Sequence, residues 1–179
     1  KMDDILMDRF FATAKTGKDG NTDTIFPTAD AVAHGATGLT VAKLRSLRKL
    51  MKKRHLDLRG RKPLIAYTAD EADQLLSETA VNSFDYNSVK PLVDGEVTSF
   101  MGFQFIPYET YLGKGIPTHI DGSDTIRDLP AWVPEGMHYG TWDALTTIIS
   151  PRPDKNNIKQ IHSTFTGGAT RTEEGRVFQ

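Results

Sequence analysis

Three side chains that could perform nucleophilic chemistry stand at alternate positions of one short segment. His119, Asp121 and Ser123 carry the imidazole, the carboxylate and the hydroxyl of a hydrolase triad. The sequence contains no Gly-x-Ser-x-Gly nucleophile elbow, and the residues around Ser123 do not supply one. Because a triad is assembled in space rather than along the chain, this absence weakens the hydrolase alternative without removing it. His119, Asp121 and Ser123 are therefore the candidate catalytic residues under the alternative that the protein is a hydrolase.

The side chains that usually coordinate metals are poorly spaced for that purpose. The chain has no cysteine, which excludes thiolate nucleophiles and cysteine-based zinc or iron–sulfur sites. Asp19, Asn21 and Asp23 have the alternating spacing of a calcium loop, but Thr24 and Asp30 stand where such a loop needs glycine and glutamate. We predict a solvated turn there, with no metal and no cofactor. No two histidines have metal-ligand spacing among His34, His55, His119, His138 and His162.

Two pairs of adjacent carboxylates, Asp70-Glu71 and Glu173-Glu174, could act as general acid and base. Neighbouring side chains point about 100° apart in a helix and to opposite faces in a strand. Neither pair is therefore expected to converge on one substrate. We interpret both pairs as helix caps or surface charge.

A dense group of cations between residues 41 and 54 could bind nucleic-acid phosphates. A solvated helix face, with cations favoured near its C-terminus by the helix dipole, is the more common explanation. No aromatic residue is interleaved with the cations, so base stacking is not expected. A monomeric nucleic-acid-binding module remains a second alternative. Its candidate contacts, to DNA or to another subunit, are Arg45, Lys49, Lys52 and Lys53.

A helix that begins after Thr40 is predicted to position these cations. The Thr40 hydroxyl can satisfy a free backbone N–H as an N-cap. Val41, Leu44, Leu47 and Met51 fall within an arc of roughly 120° at about 100° per residue. The pattern predicts one buried face and an opposite basic face.

The remaining helices and strands are predicted from helix-capping residues, from helix-breaking glycine and proline, and from the alternation of apolar and polar residues. Residues 113–131 are rich in glycine and proline, so we expect an irregular, mobile loop there. Residues 85–88 are expected to form a turn. The predicted helices are 3–14 and 71–78, and the predicted strands are 64–68, 103–108, 142–150, 158–166 and 177–178, with a bend at 167–168.

Composition restricts the class of protein. At 179 residues and 38% hydrophobic, the chain is one domain, or two small ones sharing a core. The net charge of −1 provides no overall attraction to nucleic acid or to an anionic membrane. No apolar run reaches the length of about 18 residues that a membrane-spanning helix needs.

The order of these elements resembles the shell proteins of tailed bacteriophages, of the Hong Kong phage type. A basic helix begins at 38–40, and a strand at 62–68 leads into a helix at 69–76. Asp85-Tyr86-Asn87 precedes 90–95, and a Gly-Phe strand follows at 102–106. Residues 152–155 and 167–174 resemble the closing strands of that family. The resemblance covers nearly the whole chain and rests on this ordered set.

The resemblance implies an α+β fold with an axial domain at 37–139 and a discontinuous peripheral domain formed by 1–36 and 140–179. The first helix would end a long spine helix, most of which would precede Lys1 together with an N-terminal arm and an extended loop. Loop 113–131 would lie at the axial tip and meet its neighbours around the axis of each ring of subunits.

The function implied by the resemblance is that of a major capsid subunit without catalytic residues. Such a subunit self-assembles into an icosahedral shell that encloses double-stranded DNA. The implied partners are copies of the chain, packaged DNA bound without sequence preference, and scaffolding and portal proteins, but no membrane. The implied location is the virion, after synthesis in the cytoplasm of the bacterial host.

Overall fold

The protein has an α+β fold built around one mixed sheet. The computed structural model describes residues 2–58, 60–78 and 98–179, so the predicted turn at 85–88 and segment 90–95 lie outside the described residues. The helices are α1 (Met2–Met7), α2 (Val41–Lys53) and α3 (Ala69–Ser77). The strands are β1 (Ala14–Thr16), β2 (Thr22–Thr24), β3 (Leu64–Tyr67), β4 (Ser99–Phe100), β5 (Phe103–Pro107), β6 (Thr118–Asp121), β7 (Asp124–Arg127), β8 (Ala131–Trp132), β9 (Met137–Arg152), β10 (Ile158–Arg171) and β11 (Val177–Phe178).

The central sheet has five strands in the order β11-β8-β3-β5-β4. β3 and β5 are parallel, with Ile65 opposite Phe105, and the other pairs are antiparallel. The predicted strands at 64–68, 103–108 and 177–178 are confirmed, except that Thr68 and Tyr108 lie just beyond their strand ends. The sheet therefore joins residues from the middle of the chain with its last residues.

Both faces of the central sheet are covered. Ile65 and Tyr67 belong to a core cluster with Leu44 and Leu47 of α2. Ala66, between them in sequence, belongs to a second cluster with Met7, Phe10 and Trp132. Successive side chains of a strand point to opposite faces, so β3 contributes to both clusters.

Helix α2 confirms its prediction almost to the residue. The hydroxyl of Thr40 accepts a hydrogen bond from the backbone N–H of Lys43 at 3.4 Å. Leu44, Leu47 and Met51 are buried against the sheet. Periodicity and capping agree with the tertiary contacts here, which is why the sequence was sufficient.

The first helix is much shorter than predicted, because it ends at Met7 rather than near Ala14. The chain leaves the helix through backbone hydrogen bonds from Arg9 to Leu6 and from Phe10 to Met7, at 3.1 and 3.3 Å. Phe10 is fully buried, and its ring centroid lies 4.7 Å from that of Trp132. Burial of Phe10 under the sheet has overridden the local helical pattern.

The prediction of an irregular loop at 113–131 is wrong for its central part, where β6 and β7 form a hairpin. Asp121 pairs with Asp124, so Gly122 and Ser123 form a two-residue connection. Gly122 has a φ of +65°, and Ser123 has no positive φ, which fits a type II′ turn with glycine at its first central position. This glycine between two short alternating runs was the signal that the sequence analysis missed.

β9 and β10 form a long two-stranded ribbon outside the central sheet. The predicted strands at 142–150 and 158–166 are confirmed, and both are extended in the structure. The register is irregular between Thr164 and Gly167, next to the predicted bend. Ile149 lies directly opposite Ile161, so the two share one face of the ribbon.

Candidate interaction surfaces

The three residues of the predicted hydrolase site do not come together. His119 Nδ1 lies 2.7 Å from Asp128, whereas Asp121 lies 3.0 Å from His34 Nε2. The hydroxyl of Ser123 is 3.5 Å from Asp124, its neighbour in sequence. Each group is thus engaged with a different partner at an exposed hairpin. The residues form no triad.

His34 attaches the tip of the β6–β7 hairpin to the segment before α2. The backbone N–H of Ala36 donates to His34 Nδ1 at 3.1 Å. That nitrogen is therefore an acceptor, and the proton of the neutral ring lies on Nε2, which faces Asp121. The imidazole acts as a tether and has no nucleophile to activate.

Asp70 and Glu71 lie at the start of α3, as the predicted helix cap requires, and both also contact the guanidinium of Arg127, which the sequence did not indicate. Glu71 is buried and also accepts hydrogen bonds from the backbone N–H and the hydroxyl of Thr68, at 2.9 and 2.6 Å. This is the capping box of α3. Burial opposes the charge on Arg127, but hydrogen bonds and attraction from Glu71 and Asp70 outweigh it and raise the pKa of that guanidinium. The pair attaches the hairpin to α3 and bears no substrate site.

The second carboxylate pair behaves as surface charge, as predicted. Glu173 contacts Arg176, and Glu174 lies 3.5 Å from Arg171. In the segment predicted to be a solvated turn, Asp23 forms an ion pair with Lys15 at 2.5 Å. Within residues 2–58, 60–78 and 98–179 there is no group of three or more histidine, aspartate or glutamate side chains that could hold a metal ion.

The cations of α2 fall into two groups. Lys43, Arg48 and Arg54 are occupied by Thr37, Met101 and Asp30. Burial also lowers the pKa of Lys43. The second group is exposed, and within the described part of the chain the side chains of its members form neither a hydrogen bond nor an ion pair. This group, which we call the basic face, consists of the predicted contacts Arg45, Lys49, Lys52 and Lys53.

Most of the exposed large apolar side chains of the described residues lie on the β9–β10 ribbon. Positions 141 to 164 are exposed along both strands and on both faces. Ile149 and Ile161, opposite each other, are 63% and 69% exposed. The other large apolar side chains exposed on the ribbon are Tyr139, Trp142, Leu145, Ile148 and Ile158.

A cavity of about 1000 Å³ separates the β6–β7 hairpin from the body of the protein. Its walls are the segment before α2, the helices α2 and α3, and β7. Leu44, Ile65 and Ala131 form the apolar floor. No helix in the described part of the chain is both long enough and apolar enough to cross a membrane.

Comparison with known proteins agrees with this architecture. The capsid of the cyanophage P-SCSP1u matches with a TM-score of 0.63 and 13% identity, over 99% of this chain and 59% of the other. A structure from Mycobacterium phage Che8 matches with a TM-score of 0.61 and 16% identity, over 84% of this chain and 53% of the other. This chain therefore aligns with between half and two thirds of each of those chains. At such identities the likeness concerns the fold alone.

The search of curated proteins found no match. A family model described as phage capsid protein matches residues 1–179, which is the whole chain. The protein therefore belongs to the phage capsid protein family.

Proposed function

We propose that this protein is a major capsid subunit that self-assembles into an icosahedral shell around double-stranded phage DNA. Membership of the capsid family supports a structural role. The observation that carries the proposal is the β9–β10 ribbon, because its apolar side chains have no cover within the described residues. The working surface of such a protein is its contact with other copies, and it has no enzymatic activity.

The ribbon is poorly suited to exist alone in water. An isolated two-stranded antiparallel ribbon is marginally stable at best. Its strands also have outer edges whose backbone groups are available for pairing with another chain. Threonine and isoleucine are frequent in both strands. The main charge between residues 141 and 151 is Asp143, and the main charge between residues 158 and 170 is Lys159. We infer that neighbouring copies cover this surface.

The proposed subunit has an axial domain at 37–139 and a peripheral domain formed by 1–36 and 140–179. The buried Arg171 supports the grouping of the two outer segments, since it bonds to the carbonyls of Phe10 and Thr24 at 3.0 and 3.2 Å. Scaffolding and portal proteins are the proposed further partners. Synthesis in the bacterial cytoplasm and assembly into the virion follow from the same role.

The basic face of α2 is the proposed contact with packaged DNA or with an adjacent subunit. Its cations project from one side of the helix over an arc of about 100°. Such a face binds the phosphate backbone and does not recognise base sequence, because it has no aromatic residues and no paired hydrogen-bonding groups directed at bases. Contact with DNA is then weak and independent of sequence.

The test of self-assembly is expression of the complete gene followed by sedimentation and electron microscopy. We expect shell-like particles from the natural protein. The double variant Ile149→Lys/Ile161→Lys places charge on one face of the ribbon and should abolish particles. Its thermal unfolding should be unchanged, because both side chains are exposed in the isolated chain.

Ile25→Lys is the matched control, since Ile25 is 75% exposed and lies outside the ribbon. This variant should assemble normally. Normal particles from the ribbon variant would show that the ribbon is no subunit contact. A natural protein that stays monomeric under all conditions would contradict the proposed function itself.

A further inference from the structure

A short turn between β5 and β6 presents an exposed leucine in an unusual backbone conformation. Tyr111 and Lys114 form an isolated bridge closed by two backbone hydrogen bonds of 2.8 and 3.1 Å. Leu112 and Gly113, at the tip, have φ angles of +51° and +73°. The left-handed region is unfavourable for a residue with a side chain. The Leu112 side chain is nevertheless 85% exposed, so little of it packs against the described part of the chain. We call residues 111–114 the apolar turn.

The cavity beneath the β6–β7 hairpin has the complementary chemistry. Its floor is apolar, and its volume of about 1000 Å³ is at the upper end of what ligand sites offer, which is ample for the tip of a turn. Five carboxylates line it together with two basic side chains, Lys43 and Arg127, and Arg127 is already paired with Asp70 and Glu71. An apolar side chain accompanied by one positive charge suits such a site. The apolar turn offers Leu112 and, two residues later, the exposed Lys114.

The apolar turn and the cavity belong to opposite sides of the central sheet. The turn lies between Tyr108 and Ile116, both of which pack in the cluster on the α1 side. The cavity is lined by Leu44 and Leu47, which belong to the cluster on the α2 side. A contact between these two different surfaces joins successive copies head to tail, and such a contact closes into rings when the rotation permits.

We infer that the apolar turn of one subunit inserts Leu112 into the cavity of the next copy, with Lys114 facing the acidic rim. This inference rests on the proposed function, because it requires a second copy of the chain. It assigns a specific contact within rings of subunits. In that contact one copy contributes the apolar turn and the next copy contributes the cavity.

Disulfide trapping provides a direct test, since residues 1–179 contain no cysteine that would compete with the introduced pair. Leu112→Cys is combined with Ala33→Cys, an exposed position that lines the cavity. The matched control combines Ala33→Cys with Ile25→Cys, which removes another exposed apolar residue. Particles or rings from the complete gene product are oxidised and separated on a denaturing gel without reductant. We expect a ladder of crosslinked subunits from the first pair alone.

A second arm uses charge. Lys114→Glu should repel the acidic rim and lower the yield of rings, and Lys18→Glu, at another exposed lysine, should not. Assembled particles without a ladder, or with equal crosslinking in the control pair, would overturn the inference while leaving the proposed function intact. If no variant and no natural protein forms oligomers, the proposed function fails, and this contact fails with it.

Discussion

Arg171 donates a hydrogen bond from Nη1 to the backbone carbonyl of Phe10 at 3.0 Å, across 161 positions of the sequence. The same side chain also reaches the carbonyls of Ala12 and Thr24, and it lies over the ring of Phe26 at 5.6 Å. One buried guanidinium therefore satisfies three carbonyls of the N-terminal segment. This links the end of β10 to the residues that follow α1.

Replacement of Arg171 by methionine should destabilise the protein by about 3 kcal/mol, because buried carbonyls lose a charged donor. Chemical denaturation of the purified chain measures this loss. Arg152→Met is the control, since the Arg152 side chain is exposed and, among the described residues, bonds only to Asp154. Its loss should be below about 1 kcal/mol. Equal losses in the two variants would contradict the role assigned to Arg171.

Leu47→Asp should destabilise the protein by several kcal/mol, about 3 or more, because it buries an unpaired charge between α2 and the sheet. Lys49→Asp, two residues away on the exposed side of the same helix, should change stability by less than about 1 kcal/mol. Thermal melting followed by circular dichroism distinguishes them. Retained stability in Leu47→Asp would mean that α2 does not pack through this face.

Glu71 and Asp70 both contact the guanidinium of Arg127, so the stability lost on removing each carboxylate can be compared. Glu71→Ala removes the capping box of α3 together with the buried partner of Arg127, and should cost about 3 kcal/mol. Asp70→Ala removes a partner that is 71% exposed and should cost less than about 1 kcal/mol. Urea denaturation of both variants provides the measurement. A larger loss for Asp70→Ala would reverse the assignment of which carboxylate holds the hairpin.

Tyr108 should give the protein a stability contribution that disappears in alkali. Burial, the hydrogen bond to Asp4 and the nearby charges of Asp4, Asp3 and Asp8 raise the pKa of Tyr108 well above its usual value of 10.0. A group whose pKa is raised on folding stabilises the protein fully below its unfolded pKa, and this stabilisation is lost as pH rises above that value. At neutral pH the free energy of unfolding of the natural protein should exceed that of the Tyr108→Phe variant by about 1–2 kcal/mol.

Denaturation at a series of pH values tests this prediction by difference. The advantage of the natural protein over Tyr108→Phe should be constant up to about pH 10 and should shrink above it. Tyr111→Phe is the control, because Tyr111 is another tyrosine of the chain and is 62% exposed. An advantage that grows in alkali would have the wrong sign and would refute the assignment.

Binding of DNA by the basic face should be weak and sensitive to salt. Replacement of Arg45, Lys49 and Lys52 by alanine should reduce the slope of log affinity against log salt by up to about 3, because each lost phosphate contact removes about one released counterion. Lys18→Ala/Lys155→Ala should leave the slope unchanged. Titration with two unrelated duplexes at several salt concentrations measures both properties. Tight binding to one sequence that survives high salt would favour a nucleic-acid-binding module instead.

The sequence determined the elements whose local signals agree with their tertiary surroundings. Helix α2 combines a threonine cap with an apolar arc, and β3 follows directly after Pro63. The ordered set of elements was also sufficient to indicate the capsid family, which the family model confirms over the whole chain. The cap, the apolar arc and the strand after the proline each depend on residues a few positions apart. They can therefore be predicted from the sequence without knowledge of the fold.

Tertiary structure decided the features that depend on distant residues. The position at which α1 ends follows from burial of Phe10 against Trp132, which local periodicity cannot show. His119, Asp121 and Ser123 are neighbours in sequence, yet their partners are Asp128, His34 and Asp124. Asp70 and Glu71 converge because Arg127, 57 and 56 residues away, lies between them. A side chain finds its partner only after the strands have paired, and strand pairing is a property of the whole fold.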